Sequence, residues 1–395
     1  MLTKKYSNLV TTALIQSDTG RRFLNKKKVF DLSEFRSTEL PTEAEIISSW
    51  KSENEKPVIS ILCHTYNHRS YIEDALRGFL IQKTKLPFEV IVHDDASTDG
   101  TSEIVKRYAK EYPRIINPII QSENQYARGR KPTLLSFPHA KGEFIAICEG
   151  DDFWISRNKL EKQSELMRLK ADVDIFFHPA VLFVDEEVIN LRNYYGEHDE
   201  ILSLKTVIRE GGGVMPTASI LVRRAIFDDL PSWFKNVPLG DYYIQVLAAT
   251  NGAYYCPGLY SAYRLGTQYS VSKAHNQQKG EQLKSFFEAQ MAGLEGLKDS
   301  LDEKYATDIL YYQSLVSQNC AVQCLSFKDF NGFYAYIEFS WNYYRKRAKS
   351  QYMLRLMRRT PRVARMLIVI RNLMSGVGSR GVKFCTRLSV MTFRK

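Results

Sequence analysis

The chain has 395 residues, 44% of them hydrophobic and 12% aromatic, so it can bury a sizeable core and is not an intrinsically disordered chain. The formal charge of +11 is concentrated at one end, because residues 341–395 contain 15 Lys or Arg and no Asp or Glu, which leaves 40 basic and 44 acidic residues elsewhere. The amino-terminal stretch is too polar for a secretory signal and 18 apolar residues never run together, so we expect a cytoplasmic protein without a membrane span.

Alternating strands and helices are predicted after a polar N-terminal extension. Apolar runs at residues 58–63 and 90–92 are typical of buried strands. Each run is followed by apolar residues at helical spacing, over residues 71–80 and 104–112. This βαβα order predicts parallel strands that are joined by right-handed crossovers.

More strands are expected downstream, at residues 115–116 or 119–120, 144–148, 173–177 and 180–184. Residues 277–344 then show helical periodicity with few Gly and no Pro, which predicts a helical region. The six cysteines include no CxxC pair. Reduced thiols without a metal or disulfide role are therefore expected.

Two acidic clusters follow two of these strands. The first cluster, residues 93–101, reads HDDASTDGT, and the second cluster, residues 149–154, reads EGDDFW. Ligands of an open parallel sheet bind outside the carboxyl ends of its strands, so two clusters placed there can face one ligand. The pattern predicts a crevice in which one cluster reads a nucleotide and the other holds a metal ion.

Four ordered motifs cover much of the first half of the chain, at residues 57–67, 94–101, 142–145 and 149–160. At this spacing they resemble the family 2 glycosyltransferases, which use nucleotide-sugar donors and have the GT-A fold. The resemblance is strong over residues 57–170 and loose over 171–275. It implies an α/β fold with a mixed central sheet, followed by a C-terminal helical region.

Five parts of the chain are expected on this basis. They are an N-terminal extension (1–56), a nucleotide-binding half (57–170) and an acceptor half (171–275) of one GT-A domain (57–275), a helical region (276–344), and a basic amphipathic tail (345–395).

The resemblance implies roles for both acidic clusters. Mg²⁺ or Mn²⁺ on hard oxygen ligands would neutralise a diphosphate as its bond to the sugar breaks. Asp151, Glu149 and Asp152 are the expected metal ligands, and Glu149 stands where the family usually has Asp. Asp95, supported by Asp94, is expected to accept hydrogen bonds from the uracil ring or another base. The alternative for the second cluster is a solvated acidic turn.

The end of the first strand and a basic loop supply further nucleotide-binding candidates. His64, Thr65 and Tyr66 end the strand, where they can contact the base or ribose or simply pack the loop. Arg128 lies in a basic segment between the clusters and can bring a positive charge to the diphosphate. Arg130 is equivalent to it on sequence grounds, and a solvated basic loop is the alternative for both.

An inverting transfer also needs a carboxylate on the acceptor side, which removes the hydroxyl proton. Asp241 lies where related enzymes carry this base, with capping of the following helix as the alternative and with Asp228 and Asp229 as further candidates. Trp154 and Arg264 are expected to border the acceptor, since an aromatic face stacks on sugars. Core packing is the alternative for Trp154.

The basic tail has a pattern of its own. Thr360 can cap a helix that opens with Pro361, and apolar residues then recur on one stripe beside arginines. These apolar residues are Val363, Met366, Leu367, Ile370 and Leu373. Such a helix suits an anionic membrane surface on the inner face of the cytoplasmic membrane, or docking onto a partner protein or its own domain. No stacking platform accompanies the arginines, so nucleic acid is not expected.

Together these features predict an inverting glycosyltransferase. It would move a sugar from a nucleoside diphosphate, expected to be UDP, to a hydroxyl of a glycan or lipid-linked glycan in surface polysaccharide biosynthesis. A sugar nucleotidyltransferase would need a Gly-rich loop after its first strand, and residues 65–69 contain no glycine. A non-catalytic, membrane-associated glycan-binding or scaffold protein would bind glycan without a cation and release no nucleoside diphosphate.

Overall fold

Two sheets and a series of helices make up the computed structural model, which describes residues 30–51, 56–184, 186–268 and 271–377. The strands are β1 (Ile59–Thr65), β2 (Phe88–Asp94), β3 (Ile116–Ile120), β4 (Phe144–Ile147), β5 (Phe153–Trp154), β6 (Ile175–Phe177), β7 (Ala180–Val184), β8 (Glu187–Arg192), β9 (Glu200–Leu202), β10 (Leu221–Arg223), β11 (Ala253–Tyr255) and β12 (Ser261–Arg264).

The helices before the acceptor half are α1 (Leu32–Ser37), α2 (Glu43–Ser48), α3 (Ile72–Leu80), α4 (Thr101–Glu111), α5 (Pro132–Ser136) and α6 (Lys159–Leu169). The later helices are α7 (Leu204–Glu210), α8 (Ala225–Asp228), α9 (Gly240–Ala248), α10 (Val271–Asn276), α11 (Glu281–Ser300), α12 (Ala306–Ser326), α13 (Phe330–Tyr343), α14 (Lys349–Leu356) and α15 (Pro361–Val377).

The central sheet is mixed, as predicted. Its eight strands run in the order β3-β2-β1-β4-β10-β6-β11-β9. The first four are parallel to one another, whereas β10 is antiparallel to both of its neighbours. A second sheet has the order β5-β12-β7-β8. In the register of β1 and β2, Thr65 lies opposite Asp94, so the two strands end level with each other.

Both faces of the central sheet are covered, so β1 and β2 are buried along their whole length. On one face, Ile61 and Val90 share a core with α3 and α4. On the other face, Leu62 and Ile91 share a core with buried residues of α11 to α15, such as Leu294. The helical region predicted for residues 276–344 therefore packs onto the sheet and does not enclose a separate core.

Most predicted elements are confirmed. β3 spans both of the positions considered for the third strand, and α15 begins at Pro361 as its sequence predicts. The N-terminal extension is more ordered than expected from residue 30 onward, because Phe35, Ile46 and Ile47 are buried. A capping box formed by Thr42 and Glu45 starts α2. Residues 378–395 of the basic tail lie outside the described part of the chain.

The described cysteines are free and buried, and they are Cys63, Cys148, Cys256, Cys320 and Cys324. Reduced thiols stay the expectation for these five, and Cys385 lies outside the described residues. In the part of the chain that the structure describes, no helix has the length and apolarity that crossing a membrane requires.

Candidate active site

Both acidic clusters lie at the carboxyl end of β1, one on each side of it. The Asp95 N–H donates to the Thr65 carbonyl over 2.9 Å, and the Gly150 N–H donates to the His64 carbonyl over 2.7 Å. These bonds extend the pairing of β1 with its parallel neighbours β2 and β4 by one step. The clusters are therefore about 10 Å apart, which is two strand spacings, and they share one edge of the sheet.

Asp94 is held inside the turn of the first cluster. It is fully buried, and its two carboxylate oxygens accept hydrogen bonds from the hydroxyls of Ser97 and Ser102. Asp99 accepts the N–H of Thr101 in the same turn, over 3.0 Å, as Asp does at many helix starts. The Asp94 carboxylate therefore stabilises the turn beneath the crevice and does not line the crevice.

Asp95 fixes the loop that follows β3. Its two carboxylate oxygens accept the backbone N–H groups of Gln125 and Tyr126, at 2.7 and 2.9 Å. The same loop reaches the acceptor half, because the ammonium of Lys131 donates to the Val237 carbonyl. The first cluster therefore ties together the nucleotide-binding and acceptor halves through one loop.

The arginines of this loop lie away from the clusters. Arg128 is exposed and pairs with Glu123, and the Arg130 guanidinium donates to Gln125 Oε1 over 3.3 Å. Tyr126 is also exposed, and its hydroxyl lies 3.4 Å from Nε2 of His275. The residues that anchor the loop are therefore its tyrosine and Lys131, which the sequence did not single out from the arginines.

Glu149 opens the second cluster and contacts the end of β1. Its Oε1 lies 3.4 Å from Nδ1 of His64, whose Nε2 lies 3.0 Å from Oγ of Ser136. The His64 side chain is almost fully buried, so the imidazole is held from both sides. Tyr66, two residues further on, is partly exposed. His64, at the end of β1, therefore helps to orient the Glu149 side chain.

Asp151 and Asp152 are held by contacts with the end of β12. Asp151 Oδ2 accepts the hydroxyl of Thr267 over 2.7 Å, and Asp152 Oδ1 accepts the backbone N–H of Arg264 over 2.9 Å. Burial, together with the charge of Asp151, raises the pKa of Asp152 well above its ordinary value. Two neighbouring carboxyl groups thus repel each other at the centre of the cluster.

Arg264 supports this cluster from behind. Its guanidinium donates to the Asp151 carbonyl over 2.9 Å and forms an ion pair with Asp74. Asp74 also accepts two hydrogen bonds from Arg36 of α1, at 3.0 and 2.8 Å. The expected acceptor contact of Arg264 is corrected here, because its side chain is buried and bonded within the protein. Its position serves to orient the second cluster.

Trp154 is likewise a core residue. It has no exposed surface, its indole N–H donates to the Ala218 carbonyl over 2.9 Å, and its ring contacts Phe79 edge to face. The ammonium of Lys159 lies 4.2 Å from the ring centre. An acceptor sugar has no face of Trp154 to stack on, so the alternative of core packing holds for this residue.

Asp241 lies in the first turn of α9, two residues after the N-cap Leu239. Its Oδ1 accepts the N–H of Tyr242 over 2.9 Å, so it satisfies one donor of the helix start without being the N-cap. Burial raises the pKa of Asp241, and the charge of Glu149 adds to the effect. The charges of Asp241 and Glu149 also help burial to raise the pKa of Tyr126. The three residues therefore lie close enough together for their charges to interact.

The other acidic candidates of the acceptor half lie on the surface. Asp228 pairs with Arg224 over 3.3 Å on α8, and Asp229 beside it is exposed.

The helical region reaches the site through α12. Tyr312 packs against Gly211, whose φ of +77° and distance of 2.5 Å from the ring to an added Cβ require glycine there.

The second cluster has the chemistry that a hard divalent cation requires, which is carboxylate oxygen. Two buried polar atoms beside it, Thr65 Oγ1 and His68 Nδ1, have no hydrogen-bond partner among the described residues. Both lie against Gly150, where an added Cβ would stand 2.9 and 3.1 Å from them. Within the described ranges, no three His, Cys, Asp or Glu side chains converge on a point that could hold a metal ion.

A mixed sheet with two acidic clusters at the ends of its parallel strands is the arrangement typical of the GT-A fold. Residues 60–230 match the family model described as Glycosyl transferase family 2. The match covers most of the part of the chain whose motifs resemble that family.

Relatives and solved structures agree with this assignment. An uncharacterized protein of Mycobacterium tuberculosis, Rv1520, is 34% identical over 49% of this chain and 54% of its own length. The putative teichuronic acid biosynthesis glycosyltransferase TuaG of Bacillus subtilis is 38% identical over 29% of this chain and 43% of TuaG. The chain thus spans about half the length of the curated relatives it matches.

Among solved structures, S. aureus TarS 1–349 in complex with UDP-GlcNAc is similar in fold. It aligns with a TM-score of 0.57 at 18% identity, over 80% of this chain and 92% of TarS 1–349. The aligned part extends well beyond the residues that the family model matches, so the fold likeness includes part of the helical region.

Proposed function

We propose that the protein is an inverting glycosyltransferase that moves a sugar from a UDP-linked donor to a hydroxyl of a glycan or lipid-linked glycan. The observation that carries the proposal is the partly buried Asp241 carboxyl at the start of α9, which lies near enough to Glu149 for the Glu149 charge to raise its pKa. The bound UDP-GlcNAc of TarS and the teichuronic acid role in the name of TuaG support the donor class and a role in surface polysaccharide biosynthesis.

Asp241 is the proposed general base. In a single displacement, the acceptor oxygen attacks the anomeric carbon, its proton passes to an Asp241 carboxylate oxygen, and the diphosphate leaves with the electrons of the broken bond. A base works best when its pKa lies near the working pH. Burial and the charge of Glu149 move the pKa of Asp241 in that direction.

The second cluster is the proposed cation site. GT-A enzymes usually use a divalent cation, and Mg²⁺ is commonly held by one or two carboxylates together with substrate phosphates. Asp151 would supply the first ligand, with Glu149 beside it and Asp152 orienting the turn through its bond to Arg264. When bound, Mg²⁺ or Mn²⁺ would offset the negative charge that the departing diphosphate acquires.

The nucleotide is proposed to lie along the end of β1, beside the loop that Asp95 holds. Each Asp95 oxygen accepts one N–H in the structure and keeps a lone pair that a base N–H can use. Thr65 offers an unpaired hydroxyl, with His64 and Tyr66 beside it. Arg128 is exposed and can swing toward a diphosphate.

The proposed place of action is the inner face of the cytoplasmic membrane, where a lipid-linked acceptor would be available. This location is consistent with the basic C-terminal part of the chain, in which no acidic residue follows Glu338.

A nucleotide-sugar screen tests the donor, the cation and the reaction class together. Hydrolysis and binding of UDP- and GDP-sugars are measured with and without Mn²⁺, for the unmodified protein and for Asp151→Asn and Asp241→Asn. We expect cation-dependent release of nucleoside diphosphate, which Asp151→Asn lowers about 100-fold or more. Asp241→Asn should bind donor normally and fail to transfer.

The matched control is Asp228→Asn, which removes an exposed carboxylate of the same half and should change neither binding nor turnover. If glycan binds equally well with chelator, and no nucleoside diphosphate is released with any donor, the protein is a binding or scaffold protein and the proposal fails.

A further inference from the structure

Helices α14 and α15 expose a set of large apolar side chains that we call the C-terminal apolar face. Their exposed fractions are 42–57%. The members are Tyr352, Met353, Leu356, Val363, Met366, Leu367 and Val369. Soluble surfaces expose single apolar residues routinely, whereas a concentration on two consecutive helices marks an interaction site.

This face is distinct from the side by which the helices pack on the body. On α15, Ala364 and Ile368 are buried at 1% and 7% exposure, and they join the core that lies against the central sheet. Val363, Met366 and Leu367 follow a spacing of three and four residues, so they form a second stripe at helical period. The helix is apolar on two sides, and only one side is covered by the described protein.

All charged residues of α14 and α15 are basic. Glu338 is the last acidic residue of the chain, and it is already paired with Arg355 and Arg358, at 3.1 and 3.4 Å. Arg359 and Arg362 are exposed beside the apolar stripe and form no ion pair with a described residue. A surface of this kind repels basic partners and attracts anionic ones.

We infer that the C-terminal apolar face docks onto an anionic lipid bilayer surface. Exposed apolar residues enter the boundary between headgroups and acyl chains, while the flanking arginines contact the anionic headgroups. No described helix can cross the membrane, so the contact is with the surface. The binding does not require sugar transfer, and it would hold the crevice close to lipid-linked molecules.

Vesicle co-sedimentation tests the inference with the full chain. We expect binding to phosphatidylcholine vesicles that contain phosphatidylglycerol, little binding to phosphatidylcholine alone, and weaker binding as NaCl is raised. The apolar variant Val363→Ser/Met366→Ser/Leu367→Ser and the charge variant Arg359→Glu/Arg362→Glu should each lower the affinity about tenfold or more.

Matched controls change the same properties elsewhere on the surface. Leu169→Ser alters an apolar residue that is 77% exposed on α6, and Lys205→Glu/Lys235→Glu makes the same charge change on the acceptor half. Both controls should bind vesicles as the unmodified protein does. Thermal unfolding and donor hydrolysis of every variant should be unchanged, which separates this inference from the proposed transfer activity.

Three results would overturn the inference. One is vesicle binding of equal affinity with and without phosphatidylglycerol. Another is binding that falls equally in the control variants. The third is an absence of vesicle binding together with a dimer, detected by light scattering, that the apolar variant abolishes, since the face would then be an interface between two copies of the chain.

Discussion

The two acidic clusters follow β2 and β4, which flank β1 in one sheet, yet their carboxyl groups have different surroundings. In the first cluster, Asp94 and Asp95 have a hydrogen-bond donor on every oxygen. In the second, burial and the charge of Asp151 raise the pKa of Asp152, and two polar atoms beside this cluster have no hydrogen-bond partner among the described residues. A carboxylate with one donor on each oxygen stabilises the fold around it, whereas a carboxyl whose pKa is raised by burial and by a neighbouring charge is poised for a cation or a proton.

A similar contrast exists between Asp95, which orders a loop, and Asp241, which is proposed to take part in the reaction. Asp95 uses its charge to order a loop, and its bonds are made before any ligand arrives. The Asp241 carboxyl accepts a hydrogen bond from the N–H of Tyr242, and the charge of Glu149 helps burial to raise its pKa. Mutations on the two sides should therefore be read by different measurements, stability for the first cluster and turnover or pH response for the second.

Asp241→Asn should give the largest effect. A general base contributes about 10²–10⁴-fold to a rate, so kcat should fall by that amount while the dissociation constant of the donor stays the same. The measurement is steady-state transfer beside calorimetric donor binding, with Asp228→Asn as the control. A normal kcat for Asp241→Asn would assign the residue to helix capping only.

The same variant should gain stability at neutral pH. Because the folded-state pKa of Asp241 is raised, the folded protein holds this proton more tightly than the unfolded chain does, and stability falls as pH rises from the ordinary Asp value through the raised one. Asn carries no charge and keeps the acceptor for Tyr242. A higher melting temperature together with lost turnover would show that Asp241 serves function and lowers the stability of the folded protein.

Asp94→Ala should act on stability. The buried hydroxyl of Ser102 and the partly buried hydroxyl of Ser97 lose their acceptor, and an unsatisfied buried donor costs about 1–3 kcal/mol. Urea denaturation should show a loss of about 2–4 kcal/mol in the free energy of unfolding. The cation dependence of the folded fraction should be unchanged. A loss of cation binding without loss of stability would reverse the roles of the two clusters.

Arg36→Ala should have a smaller effect, on cation affinity. Arg36 reaches the second cluster only through Asp74 and Arg264, one contact further than the outer-shell residues whose loss costs about 10–100-fold. We expect the Mn²⁺ concentration for half-maximal turnover to rise about fivefold, with kcat at saturating Mn²⁺ retained. Arg107→Ala, which removes an exposed pair with Glu73, is the control and should leave the Mn²⁺ requirement unchanged.

Much of the fold and the location of the site could be predicted from the sequence. Buried strands and amphipathic helices have periods that are visible in residues 58–112, and parallel topology then requires the clusters that follow β2 and β4 to meet at one edge. Both features follow from local sequence patterns and from the common direction of parallel strands, and neither depends on a long-range contact between side chains.

The supports of the site could not be predicted in this way. Asp74 lies on the side of α3 opposite Ile72 and Leu76, where helical period predicts solvent, and it meets Arg264 across 190 positions of sequence. Trp154 was expected to touch the acceptor because aromatic residues serve both sugars and cores, and only the packing with Phe79 decides between them. The residue type alone cannot distinguish a core role from a binding role for such side chains, because the tertiary contacts decide between them.

The smallest predicted effect concerns the link between the second cluster and the proposed base. Glu149→Gln removes a negative charge that helps to raise the pKa of Asp241, so ionisation of Asp241 becomes easier and its pKa should fall, while burial keeps it above the ordinary value. Carbon-13 NMR of the Asp241 carboxyl, assigned with Asp241→Asn and recorded without divalent cation, measures this pKa directly.

Glu123→Gln is the matched control, because it removes a glutamate charge from the exposed loop beside Arg128. It should leave the pKa of Asp241 unchanged. If Glu149→Gln also leaves it unchanged, burial is the only cause of the raised value, and the second cluster and Asp241 do not act on each other. If the pKa falls only in Glu149→Gln, the charge that attracts a cation also tunes the proton affinity of the base, and a cation at Glu149 should then lower the pKa of Asp241 as the donor binds.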